Sequence, residues 1–89
     1  MSGKKLAYEL ILSPRAIKQL KQMEKQDRER IKESLSGLRV IPPFGDIKKL
    51  KGLKGRFRLR VGNWRVILFY NTKEKKVFIS EILPRREAY

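Results

Sequence analysis

The sequence predicts an α+β domain in the order β-α-α-β-β-β-β, a helical hairpin packed on a small, mainly antiparallel sheet. Three observations predict it. Residues 56–66, RFRLRVGNWRV, alternate polar and apolar up to a Gly-Asn pair and resume beyond it, the pattern of a two-residue β-hairpin. Two earlier stretches repeat apolar residues at helical spacing. And 89 residues suffice for one domain whose modest core cannot leave an apolar helix stripe in solvent.

The elements follow in order. Residues 6–12, LAYELIL, read as a strand. Ser13 and Pro14 supply an N-cap and a first helical residue, and Ile17, Leu20 and Met23 then recur as one helix face. EKQDRE is a polar break, and a second helix starts near Asp27 with Ile31, Leu35 and Leu38 on its stripe. Two prolines and a glycine make 41–46, IPPFGD, a loop. IKKLKG is a short strand candidate, RFRLRV a strictly alternating one, and WRVILFY, apolar on both faces except at Arg65, a central one. NTKEKK turns the chain into a last strand, VFISEIL, followed by the tail PRREAY.

Charge narrows the function. There are 23 basic and nine acidic residues, a formal net of +14, and 48–65 holds eight Lys or Arg and no acid. Such a field attracts polyanions, nucleic acid first and an acidic protein second. A membrane surface fits less well, because the charge does not lie opposite an apolar helix face. The absence of Cys removes disulfides and thiolate zinc sites, and the absence of His removes the usual acid–base group near neutral pH. Neither an 18-residue apolar run nor a secretory leader pattern is found, so a cytoplasmic protein is expected.

A hairpin loop at Gly62 and Asn63 fixes the register. Val61 then faces Trp64, Arg60 faces Arg65, Leu59 faces Val66 and Arg58 faces Ile67. Phe57, Leu59, Val61, Trp64, Val66 and Leu68 form the core-facing surface, and the arginines share the other. Like charges directly opposite one another destabilise a sheet. Interspersed acids would solvate the face equally well without that repulsion. A guanidinium fork on a rigid strand suits phosphate, so the missing counter-charge points to a bound anion.

KLKG and FRLRVGNWRVILFY, followed by PRREAY, resemble the RelE/ParE family of bacterial and archaeal toxins along nearly the whole chain. The resemblance implies a single RelE-like toxin domain over 1–89, belonging to a type II toxin–antitoxin system. RelE-like members cleave messenger RNA in the ribosomal A site, ParE-like members act on DNA gyrase, and both are held by an antitoxin. The RelE-like branch implies a metal-independent endoribonuclease without cofactor, with a RelB-like antitoxin, the ribosome and mRNA as partners. Its site maps onto Arg58 and Arg60, where the best-known members have lysines, onto Arg65, onto Arg85 in the tail, and onto Tyr89. Lys48, Lys49, Lys51, Lys54, Arg56 and Arg86 are the accompanying RNA-binding candidates, Arg86 competing with Arg85 for the tail role. Arginine cannot accept a proton at ordinary pH, so the identity of the general base stays open. A gyrase inhibitor without nuclease activity and a non-catalytic RNA-binding module are the alternatives.

Overall fold

A computed structural model describes residues 7–87, excluding the side chain of Glu87. The chain runs β1 (Glu9–Leu12), α1 (Pro14–Lys21), α2 (Lys25–Ser36), a 3-10 turn (Gly37–Arg39), β2 (Asp46–Lys49), β3 (Arg56–Val61), β4 (Trp64–Asn71), β5 (Lys76–Pro84) and a 3-10 turn (Arg85–Glu87). The five strands form one sheet, ordered β1-β5-β4-β3-β2. β1 runs parallel to β5 and every other pairing is antiparallel, as the fold class predicted.

Ser13 caps α1. Its hydroxyl oxygen accepts from the Ala16 N–H at 3.0 Å and donates to the Ser80 carbonyl at 2.7 Å. This ties the helix start to β5, and the side chain facing the sheet there is the small methyl of Ala16. The buried stripe is therefore Ala16, Leu20 and Met23, while Ile17, expected inside, is 43% exposed.

The second helix begins at Lys25, two residues before the expected start at Asp27. Glu, Lys, Gln and Arg are good helix formers, so EKQDRE has little power to keep the chain unwound. Only residues 22–24 separate the helices. Ile31 and Leu35 are buried from α2, and Leu38 from the following 3-10 turn.

The β3–β4 register agrees with expectation at every pair, from Val61 opposite Trp64 to Arg58 opposite Ile67. Gly62 takes a positive φ of 57°, which a two-residue hairpin turn requires at its first position. Leu59, Val61, Val66 and Leu68 join Val77, Ile79 and Ile82 of β5 in the core, with Phe57 and Trp64 packed at its margin. Between β4 and β5 the ladder slips, because Ile67 faces Glu81 while Leu68 faces Ile79. Ser80 is the extra residue of this β-bulge, and its hydroxyl donates to the Ile67 carbonyl at 3.0 Å.

Candidate functional site

The alternation that buries Leu59 and Val66 sends Arg56, Arg58, Arg60 and Arg65 to the outer face of the sheet. Ile67 and Leu83 share that face and are nonetheless buried, as happens where long cationic stems lie over apolar strand residues.

Arg65 is held tightly. It is 8% exposed, and Nη1 donates to the carbonyls of Gly62 at 3.0 Å and Trp64 at 2.9 Å. Its own hairpin loop thus fixes the guanidinium. Burial lowers its proton affinity from the ordinary value, and the neighbouring charges of Arg60, Arg85 and Arg58 lower it further, with Asp46 acting in the opposite sense. An arginine so treated still stays cationic near neutral pH. The surroundings are arranged to be relieved by an anion.

Arg85 reaches this place through the backbone. Its N–H donates to the Asn63 carbonyl at 2.7 Å, extending the pairing of β5 past Pro84 to the hairpin loop. Arg86 follows in the same 3-10 turn, and the two line a shallow depression with Asn63 and Pro84. The hairpin loop therefore gathers side chains from β3, β4 and the tail.

Two residues at the site were not anticipated. Asp46 lies opposite Arg60 on β2, and its carboxylate meets the Arg60 guanidinium at 2.6 Å. The acid-free window stops two residues short of it, and pairing IKKLKG antiparallel with RFRLRV would have brought it in. Arg30, on α2, lies against the hairpin loop. A Cβ placed on Gly62 would be 2.7 Å from its Nη1, so glycine also leaves room for this guanidinium. Nothing local in the sequence marks that contact.

The remaining candidates separate. Lys48 pairs with Arg58 and shares the outer face, whereas Lys49 pairs with Phe57 and points to the other. Lys51 and Lys54 occupy the connection between β2 and β3, at the far end of β3 from the hairpin. Arg56 is at that end too, with its guanidinium 5.8 Å from the Phe69 ring centroid. Tyr89 lies outside the described residues. Among the described residues no three His, Cys, Asp or Glu gather as a metal site.

A larger concavity than the one at Arg85 and Arg86 lies away from the arginines. It is an open apolar groove at the far end of the sheet, lined by Tyr8, Ile41, Ile47, Phe57, Phe69 and Tyr70, with Lys49, Lys54 and Lys73 around it. Ile41 is 49% exposed there. Tyr8 and Tyr70 meet edge to face at 5.0 Å, and the Tyr70 hydroxyl donates to the Leu38 carbonyl at 2.8 Å. Both are parts of the framework. Burial pushes the Tyr70 phenol up to about 12.

Comparison with known proteins places this architecture. The family model of the ParE toxin of type II toxin–antitoxin systems matches residues 10–89. The RelE of an archaeal RelE–RelB complex from Pyrococcus horikoshii is 27% identical, with a TM-score of 0.72 over 92% of this chain and 99% of that one. The RelB–RelE complex from Methanococcus jannaschii gives 26% identity and a TM-score of 0.71, covering 85% and 91% of the two chains. The isolated Escherichia coli RelE toxin shares the fold at 21% identity and a TM-score of 0.76, over 92% and 88%. No curated protein sequence matches significantly.

Proposed function

The chain belongs to the ParE toxin family of type II toxin–antitoxin systems, and from that premise we propose that it is a ribosome-dependent endoribonuclease that cleaves mRNA in the ribosomal A site. The observation that carries the reading is the buried Arg65, pinned by two carbonyls with Arg58, Arg60 and Arg85 acting on it. Preorganised cations of this kind stabilise charge that develops on phosphoryl oxygens.

The reaction is attack of a ribose 2′-OH on the adjacent phosphorus. The P–O5′ bond breaks, leaving a 2′,3′-cyclic phosphate and a 5′-OH. Arg65, with Arg58 or Arg60, neutralises the phosphoryl oxygens, and Arg85 faces the leaving oxygen. Tyr89 is assigned to stacking on a base or to proton transfer. Charge stabilisation is plentiful in this set and proton-transfer groups are few, which supports a reaction that depends on the ribosome to position the RNA. Lys48 and Arg86 extend the phosphate path, while Lys49, Lys51, Lys54 and Arg56 steer RNA from further away.

The partner is a RelB-like antitoxin. The Pyrococcus horikoshii and Methanococcus jannaschii neighbours are toxins in complex with RelB. The lysine-rimmed apolar groove suits an amphipathic, acidic segment that orders as it binds.

A second reading is favoured by the matching family model itself, whose ParE members act on gyrase without cutting RNA. One experiment separates the two. The protein is induced with and without its neighbouring antitoxin gene, and mRNA ends are mapped while purified protein is assayed against gyrase supercoiling. The nuclease reading expects codon-phased cuts in translated messages and unaffected gyrase. Uncut messages with inhibited supercoiling would replace it by the gyrase reading.

A further inference from the structure

The Asp46–Arg60 pair is out of keeping with a face otherwise so rich in cations. Its contact is short, 2.6 Å, yet both side chains are open to solvent, Arg60 at 58% and Asp46 at 45%. An exposed ion pair contributes little to stability, so the fold gains little from it. Its position matters more. Asp46 projects from β2, an edge strand, onto the row where Arg60 faces Arg65. The carboxylate occupies the Arg60 guanidinium, a group suited to gripping a phosphate oxygen, and its charge reaches Arg65 as well. Glu81, on the same face, is engaged elsewhere, 3.3 Å from Arg15 at the β5 side.

We propose that Asp46 is an internal phosphate mimic: it holds Arg60 in place in the absence of RNA and must be displaced from it when a phosphate of single-stranded RNA binds. The inference rests on the nuclease reading only for the identity of the ligand as RNA. Asp46 acts through Arg60 and is a positioning residue. It keeps the arginine face from binding RNA indiscriminately, because every phosphate that takes Arg60 has to compete with a tethered carboxylate. Displacement also has an ionic signature. A phosphate contact normally releases about 0.7 counterions per charge from a single strand, but a freed carboxylate takes up a cation and cancels much of that release. In the wild-type protein the Arg60 contact is therefore nearly silent in the salt dependence.

The test is binding of a short single-stranded RNA oligonucleotide to the full chain, read against salt for wild type, Asp46→Asn, Arg60→Ala and the double variant. Glu74→Gln, in the β4–β5 turn at the far end of the sheet, controls for the change in net charge. Asp46→Asn is expected to tighten binding about two- to fivefold, the range of one exposed ion pair. The same variant should steepen the salt slope by about 0.7. Both effects should vanish when Arg60 is already alanine. Asp46→Ser, which removes the carboxylate by another route, should repeat the gain.

A gain no larger than that of Glu74→Gln, or one that survives in the Arg60→Ala background, would reduce Asp46 to bulk charge and overturn the proposal. Absence of RNA binding by both wild type and Asp46→Asn would overturn it equally. So would unchanged binding with cleavage abolished on programmed ribosomes, because Asp46 would then be the missing proton acceptor. The binding measurements need no cleavage. Tighter, Arg60-dependent binding by a protein that cuts nothing would leave the mimic standing and remove the nuclease reading.

Discussion

At the hairpin end of β3, Arg65 is buried, bonded to two carbonyls and surrounded by cations from β3 and the tail. At the other end, Lys51 and Lys54 stand exposed on a connection with its own turns, beside an apolar groove. The strand between them carries Arg56 to Arg60, four residues or about 13 Å of rise. Charge alone does not distinguish these regions; fixation does. A guanidinium held by its own backbone is ready for a developing charge and loses little freedom when it meets one. Lysines on an open turn keep their rotamer entropy until a partner takes it, which suits steering and docking.

The sharpest way to break this contrast is at the pinned end. Arg65→Ala and Arg85→Ala are each expected to lower cleavage on programmed ribosomes by about 10²- to 10³-fold, the cost of removing a preorganised charge-stabilising group. Circular dichroism should show the fold intact. Arg65→Lys should recover only part of the loss, since an ammonium cannot span both carbonyls and a phosphate. Full recovery would mean that charge, not fixation, is what the site uses.

At the groove end, Ile41→Glu should weaken antitoxin binding by tenfold or more, measured by calorimetry, because a carboxylate replaces an exposed apolar contact in a region suited to acidic partners. Cleavage by the free toxin should not change. Equal damage to both activities would erase the distinction between the two ends.

A smaller effect is expected from Lys51→Ala with Lys54→Ala. RNA binding should weaken a few-fold at low salt, and the salt slope should become shallower by up to about 0.7 for each lysine that contacts phosphate. An unchanged slope would assign these lysines to solvation alone.

Smallest of all is the framework under the groove. Tyr70→Phe removes the donor to the Leu38 carbonyl and should cost about 1 kcal/mol, a few degrees of melting temperature in a domain of this size. The phenol also titrates informatively. Its native value of about 12 lies above the ordinary 10, so folding favours the protonated form. That contribution is present in full below pH 10 and is lost as pH rises from 10 towards 12. Wild-type stability should fall across this window more steeply than that of Tyr70→Phe.

What could be read in advance follows the range of the interactions. The β3–β4 hairpin was legible to the residue, because a two-residue loop leaves no choice of register and strict alternation then assigns every face. The arginine face came with it. Asp46 was hidden because β2 pairs across the residue 50–55 connection, whose length does not fix a register. Arg85 was recognisable only by resemblance, since a backbone bond to Asn63 brings it in. Arg30 had no signal, being one polar residue among many on α2. The inward turn of Ala16 in place of Ile17 depends on how closely α1 lies on β5, a distance that periodicity does not contain.

The bulge at Ser80 leaves β5 with one residue of slack. Val77 and Ile79 face the core on odd positions, and Ile82 on an even one, so the strand changes parity at Ser80 without any change in its neighbours. Removing Ser80 would restore uninterrupted alternation with all three residues still inside, at the local cost of the acceptor for the Ser13 hydroxyl. A deletion within β3 has no such reserve. It would exchange the faces of every residue beyond it and turn guanidinium groups inward against Leu35 and Ile31. Length is thus negotiable in one strand and fixed in the other, and lineages of this fold should accumulate single-residue length changes at the bulge while leaving the arginine strand untouched.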